Sequence, residues 1–419
     1  MHALEKILAR AAGKEYVSSG EIVEAKIDFV EINDLYLQVI KSFKDMEGER
    51  VWAPEKVSFV FDHYSPSPTI KAADNHKKMR EFCAQQGIEN LFDINSGVCH
   101  QVLPEAGLIY PGMLLVATDS HTTTHGAFGA FGTGVGATDL ATILLTGKLW
   151  FKVPEIIKIE INGKLQPGVM AKDIILKIIG SLRQDGAVYK AVEFVGNVVD
   201  NLPVDERMVL CNMTVEMGAK TSYIKPDEKT LNFLKSVVKN DFEILETDED
   251  FEYTESYTFD VSELHSVVAK PHSIDNIDSL DKVKGIKVDQ VFVGTCTGGR
   301  LNDIRVVAEI LKGKIVSEGT RLVVIPASAN VFSQALEKGY IKILVETGAT
   351  ISAPGCGPCL GAHQGILADG EVCVSTSSRN FPGRMGSTKA QIYSASPFTA
   401  ALAALNGKLV NPEEIGSED

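Results

Sequence analysis

Two periods of apolar residues take turns along this chain. Ala3 to Ala12 repeats apolar residues at helical spacing and predicts a helix, followed by a glycine loop. Glu21 to Phe29 alternates polar and apolar residues, which predicts a strand, and Asn33-Asp34 follows at a turn. Val57 to Phe61 reads as a short buried strand that ends on Asp62-His63, and Lys71 to Gln86 returns to helical spacing. Leu91 to Ile94 predicts a second buried strand, delivering Cys99-His100-Gln101 in a loop. Met113 to Ala117 predicts a third, delivering Thr118-Asp119-Ser120-His121-Thr122. A glycine-rich run, Gly126 to Gly136, then leads into an apolar helix over Ala137 to Leu149. Three strands each ending in a His-bearing loop are what a parallel sheet produces when its site lies at the strand C-termini.

The rhythm restarts at Pro154. A strand over Glu155 to Ile161, a helix over Ala171 to Leu182 and a strand over Ala191 to Val195 follow. Val204 to Gly218 predicts one helix with Asn212 and Glu216 four apart on one face. Residues 225–280 are the most acidic and least regular part and read as a peripheral segment. From Lys287 the alternation returns: a strand to Val293, a helix over Asn302 to Lys312 and a strand over Arg321 to Ile325. Helices over Ser328 to Gly339 and Ile341 to Thr347, a strand over Glu371 to Ser375, a short helix around Phe398 to Leu405 and an acidic tail complete the chain. The fold class is therefore α/β, in three units: 1–153, 154–285 and 286–419.

Composition narrows the function more than the fold. The 44% hydrophobic and 23% charged content is ordinary for a globular protein of 419 residues. A net charge of −14 and the lack of a basic stripe argue against nucleic acid as a partner. No apolar run reaches membrane-spanning length and the start reads as a mixed-charge helix rather than a leader. Seven cysteines without a disulfide-scaffold pattern fit a reducing cytoplasm.

The chemistry centres on Ala-Pro-Gly-Cys-Gly-Pro-Cys-Leu-Gly, residues 353–361, in which Cys356 and Cys359 are hemmed in by glycines and Pro358. Cys296 lies earlier, where an apolar strand runs into Gly-Thr-Cys-Thr-Gly-Gly-Arg. Three thiolates on tight glycine turns are one short of the four that a 4Fe–4S cubane needs. One iron would then be open to act as a Lewis acid. A lone Cys-x-x-Cys is more often a redox pair or half a zinc site, so spacing alone leaves these readings open. Cys83, Cys99, Cys211 and Cys373 show no ligand spacing and read as buried thiols. Gly132-Thr-Gly134-Val-Gly136 lacks the Lys-Ser/Thr of a phosphate loop and reads as close packing.

Taken together, the motifs resemble the large subunits of the aconitase superfamily over nearly the whole chain. The resemblance rests on Asp62-His63, Cys99-His100-Gln101-Val102, Thr118 to Thr122, Cys211-Asn212-Met213 through Glu216, Cys296-Thr297, Cys356 to Cys359, and Arg379-Asn380-Phe381 through Arg384. It implies a three-domain fold with parallel sheets around a cluster-bearing cleft. It implies a hydro-lyase that isomerises a hydroxy acid by removing and re-adding water. The leading expectation is 3-isopropylmalate dehydratase activity, in leucine biosynthesis. Homoaconitate, methylmalate and dimethylmalate are alternative substrates, and an RNA-binding regulator is the alternative from another class. By resemblance Cys296, Cys356 and Cys359 hold one 4Fe–4S cluster, with Asn212 beside it. Asp62 and His63 form the acid pair at the leaving hydroxyl. His100, Asp119 and His121 hydrogen-bond substrate and each other, and Glu216 lies by the open iron. Arg379 and Arg384 grip substrate carboxylates, whose two oxygens match the guanidinium fork. Asn33 and Ser120 match substrate-binding positions.

Three departures from the family pattern stand out. Gly298 and Ser378 occupy positions where Asn is usual, and Leu35-Tyr36-Leu37-Gln38 replaces smaller residues. The resemblance also assigns the catalytic base to a serine on a further mobile domain. The residues after Arg384 are too few for it, so a separate small subunit is the expected partner.

Overall fold

The computed structural model describes residues 1–239 and 241–412. The acidic tail read from the sequence lies largely outside the described residues. Where Glu21 to Phe29 predicts one strand, there are two: β1 (Ile22–Lys26) and β2 (Phe29–Asn33). Asp28 separates them. Its carboxylate accepts from Leu114 N at 2.8 Å, so β2 aligns with one neighbour while β1 leaves the sheet.

The first sheet continues with β3 (Val57–Val60), β4 (Asn90–Phe92), β5 (Leu114–Ala117) and β6 (Phe131–Gly134). Its order is β4-β3-β2-β5-β6, all parallel. The chain winds one way from β2 to β4 and the other way from β5, so the switch point lies between β2 and β5. β6 falls inside the glycine run, for which the sequence reading names no strand. A Cβ at Gly132 would sit 2.3 Å from Thr122 O, so β6 lies against the tight turns of Ser120–Phe128. The helix after it stops at Thr146, because Gly147 takes φ +70 and ends it. The next residues form β7 (Lys148–Lys152), which pairs antiparallel with β1. Cys99 begins a helix, Cys99–Glu105, rather than sitting in a loop. The Asp62 carboxylate supplies its cap, with Oδ2 accepting from Cys99 N at 2.9 Å.

The second sheet comprises β8 (Ile156–Asn162), β9 (Ala191–Val195), β10 (Thr221–Tyr223) and β11 (Glu255–Asp260), ordered β10-β9-β8-β11 and parallel. The helix predicted over Val204 to Gly218 ends at Asn212 and tightens over Met213–Met217. Asn212 and Glu216 therefore do not share one helix face.

The third sheet draws on residues upstream of 286. β12 (Val267–Ala269) and β13 (Ile277–Ser279) form its antiparallel edge. β14 (Gln290–Val293), β15 (Arg321–Val324), β16 (Thr350–Ile351), β17 (Val372–Ser375) and β18 (Gln391–Ala395) are parallel, in the order β18-β17-β14-β15-β16. This sheet also reverses direction, between β14 and β17. The "peripheral" segment thus contributes β11, β12 and β13. Their short length and acidic surroundings hide them from a periodicity reading. No helix among the described residues is long and apolar enough to cross a membrane.

Candidate active site

The C-terminal ends of the first and third sheets meet. Cys356 N donates to Asp62 O at 2.8 Å, joining the loop after β16 to the loop after β3. A cleft of about 410 Å³ opens beside this contact. His63, Asp119, Ser120, His121, Arg379 and Arg384 line it, together with Leu35, Tyr36, Val135, Val215 and Leu360.

Each acid–base residue is held by a specific neighbour. His63 Nδ1 donates to Asp62 Oδ1 at 2.6 Å, which leaves Nε2 facing Asp119 Oδ2 at 3.7 Å. Burial alone would lower the His63 pKa, but the Asp62 carboxylate outweighs it and the imidazolium is held well above its ordinary range. The His63 and Tyr64 amides donate to the two oxygens of Asp34, at 3.0 and 2.8 Å. Asp34 in turn accepts from His76 Nε2 at 2.9 Å, and the His76 ring stacks on Phe61 at 4.2 Å.

Asp119 Oδ1 accepts from His100 Nε2 at 3.1 Å and His121 N at 2.7 Å. Burial works to raise this carboxyl, yet the two histidines hold it well below the usual carboxylate range. Glu216 Oε1 accepts from His121 Nε2 at 2.8 Å and Arg379 Nε at 2.7 Å. Burial opposes its ionisation too, and His121 and Arg379 keep its pKa low. Arg379 also donates to Ser120 Oγ at 3.1 Å. Asp119, His121, Ser120, Glu216 and Arg379 thus form one continuous network across all three sheets' loops.

The remaining predicted residues lie behind this surface. Asn33 is buried at the end of β2, and neither its Oδ1 nor its Nδ2 has a partner. Asn212 is buried and donates from Nδ2 to Thr124 Oγ1 at 2.7 Å, while its Oδ1 has no partner. Cys356 and Cys359 are buried and Cys296 half-buried, all as free thiols, and none lines the cleft. Burial pushes the Cys296 thiol up to about 12.

The cysteine loops are unusually constrained. A Cβ on Gly298 would lie 2.2 Å from Thr376, and one on Gly357 would lie 2.2 Å from Ile325. Thr295, just before Cys296, takes φ +70, a costly conformation for a β-branched residue. Arg384 Nη2 donates to Cys359 Sγ at 3.4 Å, while Arg384 Nε is buried without a partner. Three soft donors, glycines with no room for a side chain and buried polar atoms left unpaired form a cradle suited to an iron–sulfur group. Cys356 Sγ also lies within 4.8 Å of ligand atoms of Asp62 and His63. The short Asp62–His63 hydrogen bond occupies Nδ1, which favours an acid–base role for that pair over a shared ion.

Sequence reasoning passed over five residues here. Asp34 reads as a turn residue, and His76 as structural. Glu31 on β2 is wholly buried, and burial pushes its carboxyl well above the ordinary range. Arg300 donates to Cys296 O at 2.5 Å and to Gln101 Oε1 at 3.0 Å, latching the Cys296 turn to the His100 helix. Lys172 is buried, and burial pushes its ammonium down to about 8. Its signal was available: Ile175, Leu176 and Ile179 share its helix face.

Comparison with known proteins now decides the family. The model of the Aconitase family (aconitate hydratase) matches residues 5–284 and 276–407. The chain belongs to the aconitase family. Relatives match it along nearly their full length. It is 50% identical to "3-isopropylmalate dehydratase large subunit 1" of Methanopyrus kandleri, over 97% of this chain and 98% of that protein. It is 48% identical to the protein of the same name in Pyrococcus furiosus, over 99% of each. It is 45% identical to "Probable methanogen homoaconitase large subunit" of Methanothermobacter thermautotrophicus, over 99% of this chain and 98% of that protein.

Proposed function

We propose that this aconitase-family chain is the large subunit of a hydro-lyase that isomerises an alkyl-substituted malate, with isopropylmalate as the leading substrate. The observation that carries this is the contact of the Cys356 loop with the Asp62–His63 loop beside a cleft lined by His63, Asp119, His121 and Arg379. An iron–sulfur cluster held by Cys296, Cys356 and Cys359, with one iron lacking a thiolate, would supply a Lewis acid for departure of the hydroxyl. His63, fixed by Asp62 at Nδ1, presents Nε2 as the proton donor to that hydroxyl. Arg379, already donating to Glu216 and Ser120, and Arg384 orient substrate carboxylates. Asp119, which lines the cleft, accepts from His100 behind it and from the backbone of His121, which faces the cleft.

The apolar wall of Leu35, Tyr36, Val135, Val215 and Leu360 favours an alkyl side chain over a third carboxylate. A second reading, homoaconitate, is favoured by Lys220. It lines the same cleft and, among the described residues, has ring contacts with Phe151 and Tyr189 but no ion pair. The names of the relatives support a small-subunit partner, which would bring the base that removes the carbon-bound proton.

The test is an anaerobic assay of the reconstituted chain, with and without its small subunit, against isopropylmalate, homocitrate, methylmalate and dimethylmalate. Absorbance of the unsaturated product reports turnover. Turnover of isopropylmalate by the pair, and none by the chain alone, is expected. Full turnover by the chain alone would overturn the partner, and turnover of homocitrate alone would replace the substrate.

A further inference from the structure

Lys172 begins the helix Ala171–Leu182 in the second unit but reaches into the third. Only 1% of it is exposed. Its Nζ donates to Thr376 O at 2.9 Å, Ser377 O at 3.0 Å and Thr297 Oγ1 at 3.3 Å. Thr297 follows Cys296, and its hydroxyl donates onward to Thr376 O at 2.7 Å. These partners lie on the loops after β14 and β17, at the third sheet's switch point. All three acceptors are neutral. Among the described residues Lys172 forms no ion pair, whereas the other fully buried cation of its unit, Arg207, is paired with Asp227 at 2.6 Å.

A buried ammonium without an anion is costly, even with its hydrogen bonds made. The fold keeps one here, directly beneath the turn that carries Cys296. Thr297 follows Cys296, so a thiolate there would supply compensating charge, and Cys359, Asp303 and Glu216 act on Lys172 in the same direction. Asp303 offers little, because burial pushes its own carboxyl up to about 7.

We propose that Lys172 is the fixed counter-charge of the cysteine centre, a positioning residue that ties the Cys296 turn to the Thr376–Ser377 loop and offsets the charge of the thiolates and the group they hold. This rests on the reading that the three cysteines hold an iron–sulfur cluster. A positive charge at this place favours the electron-rich state of such a group. Removing it makes oxidation by dioxygen easier. It also removes an uncompensated charge from the iron-free chain, so the two states respond in opposite directions. A residue that merely ties two loops together would weaken both.

The experiment compares the wild-type full chain with Lys172→Met and Thr297→Val, each iron-free and anaerobically reconstituted. Lys172→Met keeps the length of the side chain without its charge, and Thr297→Val removes one hydrogen bond without touching the charge. Expected for Lys172→Met are a thermal midpoint of the iron-free chain equal to or above wild type, a more negative cluster midpoint potential, and an air-bleaching half-life at least threefold shorter. Thr297→Val should keep the wild-type potential. An unchanged potential and half-life in loaded Lys172→Met would overturn the proposal, as would an iron-free Lys172→Met that unfolds below wild type. Failure of Lys172→Met to load at all, with its iron-free chain as stable as wild type, would support it. Failure of the wild-type chain to take up iron and sulfide would defeat the cysteine reading itself, a separate outcome.

Discussion

The first and third sheets follow one plan and carry different side chains at their strand ends. Each is parallel at its centre, each reverses its winding at a central strand, and each offers its strand C-termini to the same cleft. At the first switch point the loops carry Asp34, Asp62, His63, Asp119 and His121, each of whose side chains is hydrogen-bonded within the protein, while Glu31 and Asn33 on β2 behind them are left without partners. At the third the loops carry thiols packed among Phe292, Ile325 and Met385, with strained backbone and unpaired polar atoms around them. The acid–base side chains pair with one another, whereas around the thiols Arg300 Nη2, Asn380 Oδ1 and Arg384 Nε have no partner. The same topology thus presents hydrogen-bonded acid–base side chains at one sheet and buried thiols at the other.

The largest effect should come from breaking the unsatisfied side. Cys356→Ala should reduce iron and sulfide content and activity to background, while Cys83→Ala and Cys373→Ala should leave metal content unchanged. Metal analysis with the visible spectrum checks this, and a full complement of iron in Cys356→Ala would refute the assignment. Next comes the satisfied side. Asp119→Asn releases His100 and His121 and should lower kcat by roughly a hundredfold to ten-thousandfold, the range for misplaced acid–base groups. Iron content should stay at the wild-type level, so equal loss of iron would erase the distinction between the two regions.

A smaller effect sharpens the comparison within the cysteine loops. Restoring the family's usual Asn at position 298 forces a Cβ into Thr376, so Gly298→Asn should destabilise the chain by about 1–3 kcal/mol. Thr376→Gly in the same chain should recover part of that in a urea titration. Additive losses would show that the close approach is not the cause.

The smallest effect concerns Glu206, which is outside both loop sets and accepts from Ala171 N at 2.5 Å. Burial pushes its carboxyl from 4.5 up to about 7. Between those values the folded chain binds more protons than the unfolded one, so this group lowers stability as pH rises through the window and has a level effect above it. Glu206→Gln should flatten that fall, by about 3 kcal/mol at pH 8 on the 1.36 kcal/mol per unit scale. Parallel wild-type and variant stability curves from pH 5 to 8 would rule it out.

The alternation of periods in the sequence was enough to foresee the α/β class, most strands, and the arrival of His63, His100 and His121 after strands, although His100 and His121 begin helical turns rather than sit in loops. The residue types around Cys296, Cys356 and Cys359 were enough to mark them as the unusual cysteines. These features are local: helix and strand periods, glycine turns and adjacent Asp-His pairs write themselves into neighbouring residues. What the sequence hid was non-local. That Asp62 caps the Cys99 helix, that His76 and Asp34 hold the His63 backbone, and that a strand forms within the glycine run all depend on contacts between segments far apart in the chain. Most of all, the partners of Lys172 and Arg300 come from other units of the chain: Thr376 of the third for Lys172 and Gln101 of the first for Arg300. Their roles exist only because folding removes water from around a charge, and which anion then faces it is decided by tertiary packing alone.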